Sequence, residues 1–281
     1  MHQTAEPKGL VKIVFWNVNK SDLTDQVCSI AAETNADVIV LNENEVDCEY
    51  TLSALQDRIS TAFYMPSATR KINRFHCFCR SPSLDFSEVH SGFRTSVRKA
   101  WLSEQFALMA FVHGVDMRNY DPETRQSFAQ SLASEIQLVK EQQETNRVIL
   151  IGDFNMNPYD RGMNLAPGLN AMMTIRCVAS GSRRHLGRDY DFYYNPMWSL
   201  FGDRTPGPPG TTYDTSNQGP YGWNMLDQVI LSHSVVHLFE SVEILSTAGT
   251  YALLDTYGRP NSCHFSDHLP ILLTLREQSN A

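Results

Sequence analysis

Apolar positions along this chain fall into a few dense runs separated by long polar stretches. Leu10 to Trp16 is almost continuously apolar and β-rich, which predicts a buried strand. Asp22 to Thr34 then places Leu23, Val27, Ile30 and Ala31 on one face of a helix. Asp37 to Leu41 is a second apolar run. Strand, helix, strand in that order predicts a parallel crossover unit, and continuous apolar strands predict burial on both faces.

From Thr61 to Val112 the runs shorten and turn residues such as Ser81-Pro82 and Ser91-Gly92 intervene. Phe75 to Phe78, Phe86 to Val89, Thr95 to Trp101 and Gln105 to Val112 are expected as antiparallel strands. Asp121-Pro122 supplies an N-cap and a favoured first helical residue. The helix they open carries an apolar stripe of Phe128, Leu132, Ile136 and Val139. Arg147 to Ile151, Leu226 to Leu231 and Ile271 to Leu275 read as further strands. Pro158 to Asn224 is the least regular stretch, broken by Pro206-Gly207-Pro208-Pro209-Gly210. Its aromatics, from Tyr190 through Trp198 and Tyr213 to Trp223, are too dense for a polar linker, so it is expected to pack and to shape something. No internal repeat and no dividing linker is visible, so residues 1–281 are read as one domain.

Charge changes this picture only slightly. Lys plus Arg number 23 and Asp plus Glu 31, a formal net charge of −8. A protein that grips long duplexes by charge alone is usually basic. A local basic rim can nevertheless coexist with an acidic whole. Arg70, Lys71, Arg74 and Arg80 are candidates for one such rim and Arg94, Arg98 and Lys99 for another, with solvated strand faces as the alternative. No apolar run reaches the ~18 residues of a membrane-spanning helix. The N-terminus lacks a signal-like apolar core, so a cytoplasmic location is expected. The six cysteines are sparse and irregular, as for reduced thiols. His76-Cys77-Phe78-Cys79 has no second pair at zinc-finger spacing, which argues against a zinc site there.

Candidate chemistry sits where apolar strands stop. Ile149-Leu150-Ile151-Gly152-Asp153-Phe154-Asn155 ends a buried strand with Asp and Asn two residues apart, on one face. Asp can bind a hard cation or take a proton, and Asn can donate to a phosphate oxygen or coordinate through its carbonyl. An Asx turn capping the strand is the alternative. Ser266-Asp267-His268 precedes the last strand, Trp16-Asn17-Val18-Asn19 ends the first, and Leu41-Asn42-Glu43 ends the second. Parallel strands of one sheet would bring such ends to a common edge, where ligands bind.

As an ordered set these motifs resemble the endonuclease/exonuclease/phosphatase (deoxyribonuclease-I-like) superfamily. Pancreatic deoxyribonuclease, abasic-site endonucleases, neutral sphingomyelinases and inositol-polyphosphate phosphatases belong to it. The matching pieces are WNVN at Asn17, DVIVLNE at Glu43, FVHG at His113, GDFNMNP at Asp153 and Asn155, LDQVILS at Asp227, and SDHLP at Asp267 and His268. They run from residue 10 to 275 in the family's order. The resemblance implies an α/β (α+β) four-layer sandwich, with two mixed β-sheets packed face to face and helices outside.

It also implies roles. Glu43 would be the main ligand of Mg²⁺ or Mn²⁺, helped by Asp267 and, directly or through water, by Asn17. Asp153 and Asn155 would orient the attacking water and the phosphate. His113 and His268 would face the phosphate, and Asp227 would hold the other ring nitrogen of His268. Residues 160–224, flanked by the Asp153 and Asp227 motifs, would form a long irregular segment near the active site, its aromatics a substrate-selecting wall or simply a closure of the core. Abasic-site enzymes usually carry Asp where Asn19 stands, and their middle-strand tyrosine is not evident, which weakens that branch.

The expected activity is therefore divalent-metal-dependent hydrolysis of a phosphodiester, with a nuclease acting on DNA or RNA placed first. A phosphatase or phosphodiesterase on a lipid headgroup or small molecule is the alternative, and a binding protein with a dead site the third reading. No G-x-S-x-G elbow, G-x-x-x-x-G-K-[ST] phosphate loop or H-E-x-x-H helix suggests a competing chemistry.

Overall fold

The computed structural model describes residues 9–68, 74–102, 104–216 and 220–277. The chain runs β1 (Leu10–Asn17), α1 (Thr24–Thr34), β2 (Val38–Asn42), α2 (Cys48–Arg58), β3 (Phe75–Cys79), β4 (Glu88–Ser91), β5 (Thr95–Leu102) and β6 (Gln105–His113). Next come α3 (Pro122–Gln142), β7 (Val148–Asp153), the one-turn α4 (Arg161–Asn164), β8 (Ala171–Met172), the one-turn α5 (Ile175–Val178) and a hairpin of β9 (Ser182–His185) and β10 (Arg188–Asp191). The remainder is β11 (Tyr193–Tyr194), β12 (Thr212–Asp214), β13 (Gly222–Asn224), β14 (Asp227–Ser232), β15 (Phe239–Ile244), β16 (Thr247–Ala248), β17 (Tyr251–Ala252) and β18 (Ile271–Arg276).

Two sheets carry the fold. One has the order β15-β18-β1-β2-β3, the other β4-β5-β6-β7-β14-β11-β8. β1 and β2 are parallel, as the crossover unit predicts, and β6 and β7 are also parallel. Strand alternation builds the layers. Ile13 and Phe15 of β1 point into the core between the sheets, where they join Met109, Phe111, Ile149 and Ile151. Val14 and Trp16, one residue out of phase, face outward and pack with Val27, Ile30 and Ala31 of α1 and Leu55 of α2. On the other side Leu108, Ala110, Val112 and Leu150 meet Leu132, Ile136 and Val139 of α3. The result is helix, sheet, sheet, helix: the four-layer α/β sandwich with two mixed sheets. Among the described residues no helix is long and apolar enough to cross a membrane.

Helix ends follow local chemistry. The side chain of Asp121 accepts from Thr124 N at 2.7 Å, capping α3 as the Asp-Pro pair predicts. Asn35 ends α1 in the left-handed region with φ 55°. Helix α2 escapes the sequence reading because it buries only Thr51, Ala54 and Leu55 on an otherwise polar surface.

The stretch from Thr61 to Val112 is antiparallel, as expected, and is shared between the sheets: β3 pairs with β2, whereas β4, β5 and β6 belong to the opposite sheet. Two expectations need correction. The motif-bearing strand ends come from both sheets rather than one. The second basic rim dissolves: Arg98 is fully buried, its Nη1 donating to Ser67 O and Phe86 O at 3.0 Å, and Lys99 lies over the Phe106 ring. Of the first rim, Arg70 and Lys71 lie outside the described residues. Arg80 meets Asp37 at the end of β3 far from the β2 C-terminus, and only Arg74 approaches the cleft. Cys77 and Cys79 point into the core between the sheets, and all six cysteines are free thiols.

Candidate active site

Facing strands of the two sheets meet in register at one edge of the sandwich. Parallel pairing sets Asn17 beside Asn42, with Glu43 next in the chain, and His113 beside Asp153. Antiparallel pairing sets Asp153 beside Asp227. Across the gap between the sheets, each strand end touches the one it faces. His113 Nε2 at the end of β6 lies 3.2 Å from Glu43 Oε1 after β2. Asn17 Nδ2 at the end of β1 donates to Asp153 Oδ2 of β7 at 3.2 Å. His268 Nδ1, just before β18, donates to Asp227 Oδ2 of β14 at 2.7 Å. Three cross-sheet contacts therefore stand side by side, with Asp153 at the centre.

Close backbone packing fixes this row. Gly114 N donates to Asp153 O at 2.7 Å, and a Cβ on Gly114 would meet Phe154 O at 2.2 Å, so the loop after β6 requires glycine. Glu43 and Asn155 are held at φ 51° and 52°, an uncommon conformation for side-chain-bearing residues. Lys20 N donates to Glu43 O at 2.9 Å, which ties the loop after β1 to the loop after β2. Asn155 returns to Asp153 twice, through its backbone N to Oδ1 at 2.9 Å and its Nδ2 to Oδ2 at 3.1 Å. The sequence alternative of an Asx turn is thus present, on a pair that also lines the cleft. Ser266 Oγ donates to Asn17 O, and His268 N donates to Ser266 Oγ at 3.0 Å, so β18 is docked on β1.

Charge within the row is unevenly distributed. The hydrogen bond from His113 holds Glu43 down to about 2, against the upward push of burial, with Asn17 helping. Burial pushes the Asp153 carboxyl up, against the pull of His268, and the neighbouring Asp227 adds to the push. Burial alone would lower His268, but Asp227 and Asp153 overcome it and raise the imidazole to about 10. These shifts favour a charged Glu43 carboxylate and a charged His268 imidazole, whose orientation Asp227 fixes.

All eight residues singled out in the sequence line a cleft of about 770 Å³ or lie directly behind it. Asn17, Glu43, His113, Asp153, Asn155, Asp267 and His268 line it, and Asp227 stands behind His268. Two carboxylate–imidazole clusters have ligand atoms within 4.8 Å of one another: Glu43, His113 and Asp153, and Asp153, Asp227 and His268. Asp267 lies outside both, yet its Oδ1 is buried and has no hydrogen-bond partner. A buried carboxylate oxygen without a partner, on a residue that lines the same cleft as Glu43, suits a hard divalent cation that takes oxygen ligands. Asn17 turns Nδ2 to Glu43 Oε1 at 3.1 Å and to Asp153, while its Oδ1 accepts from Asn19 N at 3.0 Å. In this arrangement it orients both carboxylates.

The structure gives Arg94 and Asn42, read in the sequence only as a rim charge and a strand end, places in the cleft, and adds Thr211. Arg94 Nη1 donates to His113 O at 3.2 Å and Gly114 O at 2.7 Å and lines the cleft. Thr211 Oγ1 accepts from Leu226 N and Asp227 N, both at 3.1 Å, fixing the start of β14. Asn42, fully buried, lines the cleft with both side-chain polar atoms unpartnered. No sequence periodicity marks these positions, since each acts through a tertiary contact.

A family model described as Endonuclease/Exonuclease/phosphatase family matches residues 14–268. The chain belongs to this family. Its members are hydrolases acting on phosphoesters, which the carboxylate–imidazole row suits. Solved structures agree on the fold. D. rerio TDP2 complexed with single-strand DNA product superposes with a TM-score of 0.57 at 16% identity, covering 95% of this chain and 99% of that one. A family protein from Bacteroides thetaiotaomicron gives 0.58 at 12% identity, covering 98% and 100%. The endonuclease domain of TRAS1, a telomere-specific non-LTR retrotransposon, gives 0.56 at 12%, covering 96% and 100%. No curated protein matches the sequence.

Proposed function

We propose that this protein is a divalent-metal-dependent phosphodiester hydrolase acting on nucleic acid. The observation that carries the reading is the cross-sheet row with Asp153 at its centre, flanked by Glu43 and His113 on one side and by Asp227 and His268 on the other. A nuclease is favoured over a lipid-headgroup enzyme by the guanidinium groups of Arg74, Arg94 and Arg118 along the cleft, which match a phosphate backbone. The similarity in fold to an endonuclease domain and to a protein bound to single-strand DNA product points the same way. Part of the aromatic segment is used elsewhere: Tyr194 and Phe201 pack against the core.

Glu43 and Asp267 would hold Mg²⁺ or Mn²⁺, with Asn17 orienting Glu43 or acting through a water. A bound ion of this kind neutralises a non-bridging phosphate oxygen and stabilises the leaving oxygen. Asp153, its carboxyl raised by burial, orients the attacking water and accepts its proton. Asn155 and Asn17 hold Asp153 Oδ2 and keep that carboxylate from rotating. His268, charged and oriented by Asp227, hydrogen-bonds the phosphate oxygens where negative charge builds up. His113 presents its ring from the opposite flank. No covalent intermediate on the protein is required.

The test is a panel of single-stranded and duplex DNA, RNA, nucleotides and phospholipids, each with Mg²⁺, Mn²⁺ or excess chelator. The reading expects metal-dependent turnover of nucleic-acid diesters. Turnover confined to phospholipids, or undiminished in chelator, would overturn it.

A further inference from the structure

The row of cross-sheet contacts continues one strand further at one end, to a different kind of cluster. Arg74, just before β3, donates from Nε to Phe93 O, just before β5, at 3.1 Å. Phe93 is 77% exposed and has two guanidinium groups near its ring, Arg74 Cζ 5.4 Å and Arg94 Cζ 5.6 Å from its centre. At the other end, β12 and β13 bring Tyr213 and Trp223 to 5.4 Å, edge to face, and Thr212 bridges to His268. Arg259 lies over Tyr213 at 4.6 Å and over Tyr257 at 5.4 Å, and Tyr257 is 80% exposed. The loop that presents them is closed on itself: Asp255 Oδ1 accepts from Tyr257 N at 2.8 Å and Arg259 N at 2.9 Å. Among the described residues none of Arg74, Arg94 or Arg259 has a carboxylate partner.

Each cluster sets an exposed aromatic ring against a guanidinium that has no carboxylate partner. Such a pair offers a flat apolar face and a charge together, the two features of a nucleotide. One cluster is unremarkable. Here there are two, and the catalytic contacts lie between them in strand order: β3 and β5 at one flank, β2 and β6, then β1 and β7, then β18 and β14 at the other. We propose that these clusters stack unpaired bases on both sides of the reacting phosphate, so that the substrate is single-stranded nucleic acid cut at an internal diester. Duplex bases are already stacked and have no face to offer. This inference rests on the hydrolase reading for the cut, but its base-stacking part is testable by binding alone.

The experiment measures fluorescence anisotropy of labelled ten-nucleotide oligomers in excess chelator, so that nothing is cleaved. The oligomers are a deoxythymidine strand, a uridine strand, an abasic strand of equal charge and a blunt duplex. Wild-type protein is expected to bind the base-bearing strands roughly 5- to 150-fold more tightly than the abasic one, the span of one stacked base. Phe93→Ala and Tyr257→Ala, both at exposed positions, should each remove part of that preference, and the double variant all of it, while abasic binding persists. Abasic or duplex oligomers bound as tightly as single strands would overturn the proposal. So would loss confined to one of the two variants, because the stacking is then one-sided. Aromatic-dependent binding without turnover of any diester in Mg²⁺ would instead sink the hydrolase reading and leave the stacking sites standing. Turnover without aromatic-dependent binding would do the reverse.

Discussion

Replacing Asp227 by Asn removes a buried charge while keeping the size and shape of the side chain. Asp227 accepts from His268 Nδ1 at 2.7 Å and, beside Asp153, raises that imidazole from the ordinary 6.5 to about 10 despite burial. Between those two values the native state holds a proton that the unfolded chain has released. Stability from this group is therefore complete below ~6.5 and lost as pH rises through about 10. At ~1.4 kcal/mol per pH unit the whole span is worth on the order of 5 kcal/mol, and the interval from pH 7.5 to 9.5 about 2–3 kcal/mol. Urea unfolding of the wild type in chelator should fall by that amount between these two pH values, beyond whatever common slope the thiols impose. Asp227→Asn, whose imidazole loses its main upward push, should show only the common slope. Wild type and variant falling in parallel would refute the idea that Asp227 holds a charged His268 in the resting protein.

Other predictions follow from the same geometry. In a double-mutant cycle, His268→Ala and Asp227→Asn should be strongly non-additive for turnover, because an unoriented imidazole has already lost most of its effect; additive losses would separate the two residues. Gly114→Ala should destabilise the protein by ~1–3 kcal/mol in urea titrations and reduce turnover, because the added methyl drives into Phe154 O. Phe154→Ala, at a fully buried ring between Asp153 and Asn155, should cost ~3–5 kcal/mol, and an unchanged unfolding midpoint would show that the loop does not depend on it. Glu43→Gln should keep the wild-type fold by circular dichroism but weaken Mn²⁺ binding at least ~10-fold by calorimetry.

Sequence made the sandwich legible wherever burial imposes a period. The unbroken β1 and β2 runs, the α3 stripe and the Asp121-Pro122 cap each produced the expected element, because core burial and backbone capping are local signals. The candidate site residues were visible for a different reason: polar side chains end apolar strands, and their order resembles one family. What stayed hidden depends on pairing across distance. Nothing local tells that β3 crosses to the first sheet while β4 to β6 build the second. Arg98 looks like a surface charge until the carbonyls of Ser67 and Phe86 are seen to receive it. The aromatic segment divides in two for the same reason. Tyr194 and Phe201 close the core, whereas Tyr213 lines the cleft with the edge-to-face Trp223 packed behind it against the other core cluster. Composition treats these rings alike, and only the β12–β13 pairing and the bridge from Thr212 to His268 separate them.

The central claim is that Asp153, at the middle of the cross-sheet row, activates water for attack on a phosphodiester. Its direct test is the steady-state hydrolysis of bis(p-nitrophenyl) phosphate with saturating Mg²⁺ or Mn²⁺ by wild type and Asp153→Asn, matched for unfolding midpoint. This small diester has no base to stack, so the measurement isolates the chemistry. The account predicts wild-type turnover that chelator abolishes and a loss of about 100-fold or more in kcat for the variant. Equal turnover by wild type and variant would contradict it.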